Sequence, residues 1–168
     1  MSNDYSSSIW RGRFIRYAPL VLWVGVIFLL SSSTGSMSET SRFIRPLLEF
    51  LFPSASDETL RVIHGYIRKS AHLTEYALLA FLAYRALAAA THDTLRRGRF
   101  LIPLVIVLSV ASIDEFNQSF NTARTGSGWD VLLDAAGGIL MITFLLLLEK
   151  TRLVKHHPEP SIDPSQAP

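Results

Sequence analysis

One short stretch of this sequence places four polar side chains on a single helical face. Their types suit proton transfer or the binding of an anion. The stretch is RKSAHLTEYALLAF, and the side chains are those of Lys69, His72, Glu75 and Tyr76. At 100° per residue they fall within an arc of about 120°. Neighbours three residues apart on a helix can hydrogen-bond or form an ion pair, as His72 and Glu75 can here. A histidine beside a carboxylate is an acid–base couple.

A second polar run, SIDEFNQSFNTARTGSGWD, follows the third apolar segment of the chain. Asp114 and Gln118 lie four residues apart and share a helical face, with Glu115 beside them. Arg124 is the only Lys or Arg in this run. The run therefore offers carboxylates for proton transfer and one cation for an anionic group.

The fourth apolar segment carries two further carboxylates at its start. Asp130 and Asp134 are four residues apart, and Gly137 and Gly138 follow one turn later. Small residues at such a position let a second helix approach closely within a membrane. We therefore assign Gly137 and Gly138 to helix packing.

These polar groups interrupt four apolar segments, which reach the length of a membrane-spanning helix when flanking residues extend the shorter ones. The segments run over 17–30, 71–90, 100–113 and 131–148. The pattern predicts an all-α polytopic membrane protein with four transmembrane helices. An ionisable group inside such a helix is costly unless it is paired or faces a wet interior, which makes the polar layer a candidate functional site.

Between the first two segments, residues 31–70 predict two short interfacial helices divided by Pro53. Ile44, Leu47, Leu48 and Leu51 form an apolar stripe in the first of them. We divide the chain into a disordered N-terminus over 1–13, a four-helix membrane domain over 14–150 and a disordered tail over 151–168.

Lys and Arg are retained on the cytoplasmic side of short membrane loops. Nine of the 16 basic residues lie in the N-terminus, the 91–99 connection and the C-terminal tail. This predicts a multi-pass protein of the bacterial inner membrane with both termini in the cytoplasm and the polar layer facing outside. Arg11, Arg13 and Arg16 before the first apolar segment also fit a signal peptide, but no clear cleavage site follows.

The composition excludes several kinds of chemistry. The chain has 168 residues, a net charge of +2, 49% hydrophobic residues, 18% charged residues and no cysteine. Disulfides, thiolate nucleophiles and cysteine-bound metals are therefore absent, and no nucleic-acid motif occurs. His72 with Glu75 and Asp114 or Glu115 resembles a zinc set but lacks a second histidine at metal spacing. We predict no metal and no cofactor.

The two polar runs together resemble the VanZ-like family. Its pattern is Lys-x-x-His-x-x-x-Tyr, then Asp-Glu-x-x-Gln, an Arg, and Asp-x-x-x-Asn-x-x-Gly. The matching residues are Lys69, His72, Tyr76, Asp114, Glu115, Gln118, Arg124, Asp130 and Gly137. Asp134 departs from the pattern, because the family often has Asn there. The resemblance implies an integral membrane protein connected by the family name with teicoplanin resistance in bacteria.

Three functions fit these residues. In the first, the layer binds a cell-envelope lipid or peptidoglycan-precursor head group, or a lipoglycopeptide, with ligand contacts from Lys69, Tyr76, Gln118, Arg124, Asp130 and Asp134. In the second, the protein is an enzyme with acid–base groups at His72, Glu75, Asp114 and Glu115, although no nucleophile lies in a known catalytic motif. In the third, the chain is a structural or accessory membrane subunit whose polar layer fixes helix packing, or whose Glu75 and Asp134 carry protons.

Overall fold

The computed structural model describes residues 2–31, 37–119 and 128–155, and those residues form helices and short turns without a strand. The all-α prediction is confirmed. The helices are α1 (Ser2–Ser31), α2 (Met37–Leu51), α3 (Asp57–Ala88), α4 (Asp93–Arg97), α5 (Leu101–Ser119) and α6 (Gly128–Lys155).

The longest helix, α3, joins two elements that the sequence pattern separated. It begins after Ser56, whose hydroxyl oxygen accepts a hydrogen bond of 3.2 Å from the Thr59 backbone N–H. No proline interrupts its 32 residues, so the helix runs from the predicted surface segment straight into the predicted second span. Of the two interfacial helices expected between the first two spans, only α2 is a separate element.

Three helices in the described part of the chain are long and apolar enough to cross a membrane. These candidate spans are Phe14–Ser31, Leu101–Ser119 and Gly128–Arg152. They agree with the first, third and fourth apolar segments. The second segment, inside α3, is not among them, because His72, Glu75 and Arg85 lower its hydropathy.

Side-chain contacts show that α1 runs antiparallel to α3. Near the end of α1, the Trp23 indole N–H donates to the backbone oxygen of Glu75 over 3.0 Å. Earlier in α1, the backbone oxygen of Ile15 accepts a hydrogen bond of 3.3 Å from Arg85. Residues nearer the C-terminus of α1 thus contact residues nearer the N-terminus of α3, as they do when two helices pack antiparallel.

The other two long helices are oriented by similar contacts. Tyr84 of α3 donates a hydrogen bond to Glu149 of α6, while Leu73 lies against Gly137, so α6 runs parallel to α3. The C-terminal end of α5 is tied to that of α1, because the Gln118 amide donates to the Ser31 hydroxyl oxygen over 2.6 Å. Therefore α1 and α5 run one way, and α3 and α6 run the other.

The α3 helix occupies the middle of this bundle and contacts each of the other five helices. The buried apolar core is made by Ile27, Tyr76, Leu79, Ala80, Val107, Val110, Ala111, Ile142 and Leu145. In contrast, the outer faces expose large apolar side chains, such as Val21, Leu101 and Leu140, each at least 60% exposed. Apolar residues on the outside are expected where lipid rather than water surrounds a bundle.

Gly137 and Gly138 lie at the helix contacts. A Cβ atom at Gly137 would stand 2.3 Å from the backbone oxygen of Leu73, so α6 touches the backbone of α3 there. At Gly138 a Cβ atom would meet the methyl groups of Val107 on α5 at 3.0 and 3.1 Å. The two glycines thus permit close packing on two different neighbours.

A cluster of polar side chains joins the helices at the end where α5 begins. The Arg99 guanidinium forms two hydrogen bonds with the Glu149 carboxylate, at 2.8 and 3.2 Å. The carboxylate holds the pKa of Arg99 above its usual value through these hydrogen bonds. Tyr84 also donates to Glu149. This Arg99 cluster, formed by Arg99, Glu149 and Tyr84, connects α3, α6 and the segment before α5.

The helices extend beyond the predicted ends of the membrane domain. Helix α1 starts at Ser2 and α6 continues to Lys155, whereas we expected disorder over 1–13 and from 151 onward. No proline occurs between Ser2 and Tyr17 or between Gly128 and Lys155, so nothing in the local sequence ends either helix earlier. The rest of the expected tail, 156–168, lies outside the described residues.

Candidate functional site

A histidine and a carboxylate from different helices meet inside the bundle. The His72 ring nitrogen Nδ1, on α3, lies 3.5 Å from the Asp134 carboxylate oxygen Oδ1, on α6. The Asp134 side chain is fully buried, and that of His72 is 17% exposed. We expected Glu75, on the same helix, to be the acid–base partner of His72, but the carboxylate that faces Nδ1 is Asp134.

A second polar connection runs from α5 to α1. The Gln118 amide donates hydrogen bonds to the Asp114 oxygen Oδ2 over 2.9 Å and to the Ser31 hydroxyl. Asp114 and Gln118 therefore share a face, as their spacing predicted. The amide thus donates to the Oδ2 atom of Asp114 and not to its Oδ1 atom.

Several buried polar atoms of this layer have no hydrogen-bond partner among the described residues. They are His72 Nδ1, Tyr76 Oη, Asp114 Oδ1 and both carboxylate oxygens of Asp134. The 3.5 Å contact of His72 with Asp134 is longer than an ordinary hydrogen bond. Native proteins leave few buried polar groups unsatisfied, so such a concentration points to a bound water, proton or ligand.

Two of these residues, His72 and Asp114, line a cavity of about 140 Å³. Its polar lining comes from α1, α3 and α5, and its apolar lining includes Ile44 of α2. The lining residues are Leu30, Ser31, Ile44, His64, Ile67, Arg68, Ala71, His72, Glu75 and Asp114. A single water needs roughly 10–15 Å³ of such space, so the cavity can hold a small polar group together with water.

Helix α2 covers one side of the cavity. The Ser41 hydroxyl of α2 is hydrogen-bonded to the His64 ring nitrogen Nδ1 of α3 over 3.2 Å. Arg45 of α2 also forms an ion pair of 2.7 Å with Asp57 at the start of α3. Because the pair is exposed, it adds little stability, and the Ser41 contact is the one nearest the cavity.

Sequence reasoning missed His64, Arg68 and Ser31 as lining residues. A signal for the first two was present, because His64, Arg68 and His72 follow one another at intervals of four residues and so share a helical face. Glu75 lies within the same arc of about 80°. For Ser31 no such pattern exists, since only the packing of α1 against α5 brings it to the cavity.

Lys69 does not join the cavity. Its exposed side chain lines a separate surface depression with Val62, Gly65 and Tyr66. Lys69 and Glu75 stand at opposite edges of the arc of about 120° on which both were placed. Arg68, one residue earlier, is the cation that lines the cavity instead.

The remaining predicted site residues differ in their placement. Glu115 is buried near the end of α5, and Asp130 is half-buried in the first turn of α6. Neither of them lines the cavity. The predicted anion-binding Arg124 lies outside the described residues.

The geometry suits a polar ligand more directly than a metal ion. Among the described residues, no three His, Asp or Glu side chains come together as a metal site would require. The cavity instead combines Arg68 with two histidines and two carboxylates. Such a lining can accept hydrogen bonds, donate them and exchange protons with a bound group.

A family model described as VanZ/LLP1 matches residues 16–149 of the chain. The match includes all four apolar segments and every residue that lines the cavity. No curated protein and no solved structure shows a significant match.

Proposed function

The chain belongs to the VanZ/LLP1 family, and from this premise we propose that it binds the head group of a cell-envelope lipid or peptidoglycan precursor. Binding takes place in the cavity between α1, α2, α3 and α5, on the outer side of the bacterial inner membrane. The observation that carries the proposal is that two residues of the cavity wall, His72 and Asp114, each have a buried polar atom without a hydrogen-bond partner among the described residues. A layer that served packing alone would satisfy those atoms internally.

We propose that α3 is the fourth transmembrane helix. Because the candidate spans in α1 and α5 run in the same direction, the chain must cross the membrane once between Ser31 and Leu101. Among the described residues of that stretch, α3 is the one helix with enough residues to cross. Its polar side chains are tolerated because α1, α5 and α6 surround it.

The same reasoning supports the proposed orientation. Basic residues collect at the end of the bundle where α5 begins, at Arg96, Arg97 and Arg99, and at Lys150 and Arg152 of α6. By the preference of basic residues for the cytoplasmic side, they support a cytoplasmic location for that end and for both termini. The cavity lies at the opposite end and opens outside.

We propose that α2 lies in the outer membrane–water interface. Its side chains Phe43 and Phe50 are each more than 80% exposed, while Leu48 is buried against the bundle. A helix with one face on protein and aromatic residues on another suits the boundary between head groups and acyl chains. Because α2 borders the cavity, this location puts the cavity at the level of the lipid head groups.

A second candidate function is acid–base catalysis on the bound envelope lipid, and the pair of His72 and Asp134 favours it. A carboxylate facing Nδ1 orients the imidazole ring and leaves Nε2 for a bound group. Histidine can then accept and return a proton. Under this alternative, Glu75 and Asp114 assist from the cavity wall.

Lipid analysis of the purified protein tests the binding proposal. We expect an envelope lipid or precursor to co-purify with the native chain, and His72→Ala or Arg68→Gln to reduce it in protein that still folds. His92→Ala is a matched control, because His92 is exposed just before α4, beyond the end of α3 that lies away from the cavity. Loss of folding in both site variants would support a purely structural layer instead.

Turnover distinguishes catalysis from binding. If the second candidate is correct, purified protein converts a labelled envelope lipid, and Glu75→Gln or Asp134→Asn abolishes conversion while leaving the lipid bound. A lipid that is retained unchanged assigns the cavity to binding alone.

We also propose that the chain alters teicoplanin susceptibility when it is expressed in a susceptible bacterium. A site that binds lipid-linked head groups can compete with a lipid-tailed antibiotic for them at the cell surface. It can also change the access of the antibiotic to that surface. His72→Ala is expected to remove the effect and His92→Ala to retain it. Equal susceptibility with and without the native chain would contradict this role.

A further inference from the structure

The cavity is lined by side chains of opposite charge at different positions along α3. Arg68 lies seven residues before Glu75 on α3, which separates their backbones by about 10 Å along the helix axis. Asp114 of α5 lines the same cavity as both of them. A ligand that contacts both Arg68 and the carboxylates must therefore carry an anionic group and, separated from it, a cationic or hydrogen-bond-donating group. A simple anion would bind only at Arg68.

The acidic end requires a hydrogen-bond donor. Asp114 is 1% exposed, and its oxygen Oδ2 accepts from Gln118 over 2.9 Å. Its other oxygen, Oδ1, has no hydrogen-bond partner in the described chain. A buried carboxylate oxygen without a donor is costly, so a bound donor at this point stabilises the site.

The remaining titratable groups of the lining do not change this arrangement of charges. His64, hydrogen-bonded to Ser41 of α2, lies on the Arg68 side of the cavity. His72 lies on the Glu75 side, where Asp134 faces its Nδ1 atom. Cationic and neutral groups of α3 thus occupy the end near α2, Glu75 lies at the deeper end, and Asp114 lines the same cavity from α5.

Resting on the proposed head-group function, we infer that the cavity recognises a zwitterionic amino-phosphate head group in one orientation. Its phosphate contacts Arg68 near α2, and its primary ammonium points inward and donates N–H groups to Asp114 Oδ1 beside Glu75. Ethanolamine phosphate has this chemistry. Choline phosphate carries the same charges but has no N–H to donate, and a glycerol phosphate head group donates hydroxyls without a cation.

Native mass spectrometry of the full chain in detergent can compare these head groups. The probes are phosphatidylethanolamine, phosphatidylcholine and phosphatidylglycerol with identical acyl chains. We expect phosphatidylethanolamine to bind about tenfold more tightly than phosphatidylcholine, which is the usual effect of one hydrogen bond to a charged group. Soluble O-phosphoethanolamine should compete with the lipid, because the contacts are made to the head group.

Two variants separate the contacts at the ends of the cavity. Asp114→Asn should remove most of the preference for phosphatidylethanolamine over phosphatidylcholine, with Asp93→Asn, an exposed carboxylate at the other end of the bundle, as its control. Arg68→Gln should weaken both lipids equally, with the exposed Arg97→Gln as its control. The melting temperatures of all variants confirm that they fold.

The results also separate this inference from the function on which it rests. Equal binding of the three lipids, stronger binding of phosphatidylglycerol, or no competition by O-phosphoethanolamine would overturn the amino-phosphate assignment while leaving a head-group site. Failure of all three lipids to bind would also overturn it, and if in addition no envelope lipid or precursor co-purified with the native chain, the proposed function itself would be rejected.

Discussion

His72 on α3 and Asp134 on α6 face each other at 3.5 Å, one turn from the point where Gly137 touches the backbone of Leu73. The close helix contact and the polar pair therefore depend on each other. If the two helices separate, the ring and the carboxylate lose their contact, and the buried carboxylate loses the imidazole that faces it.

The pair should be energetically coupled. We expect His72→Ala and Asp134→Asn to destabilise the protein individually, and the double variant to lose about 1 kcal/mol less than their sum. Thermal unfolding of the four proteins in detergent measures this coupling. Strictly additive losses would mean that the two side chains do not interact.

Gly137→Ala should lower the free energy of unfolding by about 1–3 kcal/mol, because a Cβ atom 2.3 Å from a backbone oxygen forces α3 and α6 apart. Gly138→Ala should cost less, since the Val107 side chain can move. Gly25→Ala is the control: a Cβ there meets nothing within 4 Å, and alanine favours the helix. Equal stability of Gly137→Ala and Gly25→Ala would refute the packing role.

The proposed membrane crossing by α3 can be tested by labelling, because the chain contains no cysteine of its own. Ser54→Cys lies before α3 and Thr91→Cys after it, and both positions are exposed. In intact cells, a membrane-impermeant maleimide should label Ser54→Cys and spare Thr91→Cys until the membrane is opened. Labelling of both from the same side would disprove the four-span topology.

The Arg99 cluster should contribute to stability through the bidentate hydrogen bonding of Arg99 to Glu149. Arg99→Lys retains the charge but loses one of the two hydrogen bonds to Glu149, so we expect a loss of about 1 kcal/mol. The exposed pair of Arg96 and Asp93 provides the comparison, and Arg96→Lys should change the melting temperature little. The same small change for both variants would show that the geometry of the cluster is unimportant.

The amino-acid pattern by itself determined the helical class, the three candidate membrane-spanning segments and most of the polar layer. Apolar runs of membrane length and intervals of three and four residues are local properties, so they identify the faces that carry His72, Asp114 and Asp134. They also placed Gly137 and Gly138 within helix contacts. The division of α3 into two helices was wrong, because the chain has no signal that ends the helix between them.

Tertiary structure decided which faces meet. A periodic pattern shows that His72 lies on a polar face, but only the parallel packing of α3 and α6 selects Asp134 as its neighbour. The same holds for the cavity, where Ser31 of α1 and Ile44 of α2 join residues far away in the chain. Local spacing specifies the direction of a side chain around its own helix, whereas its partners depend on the order and direction in which the helices pack.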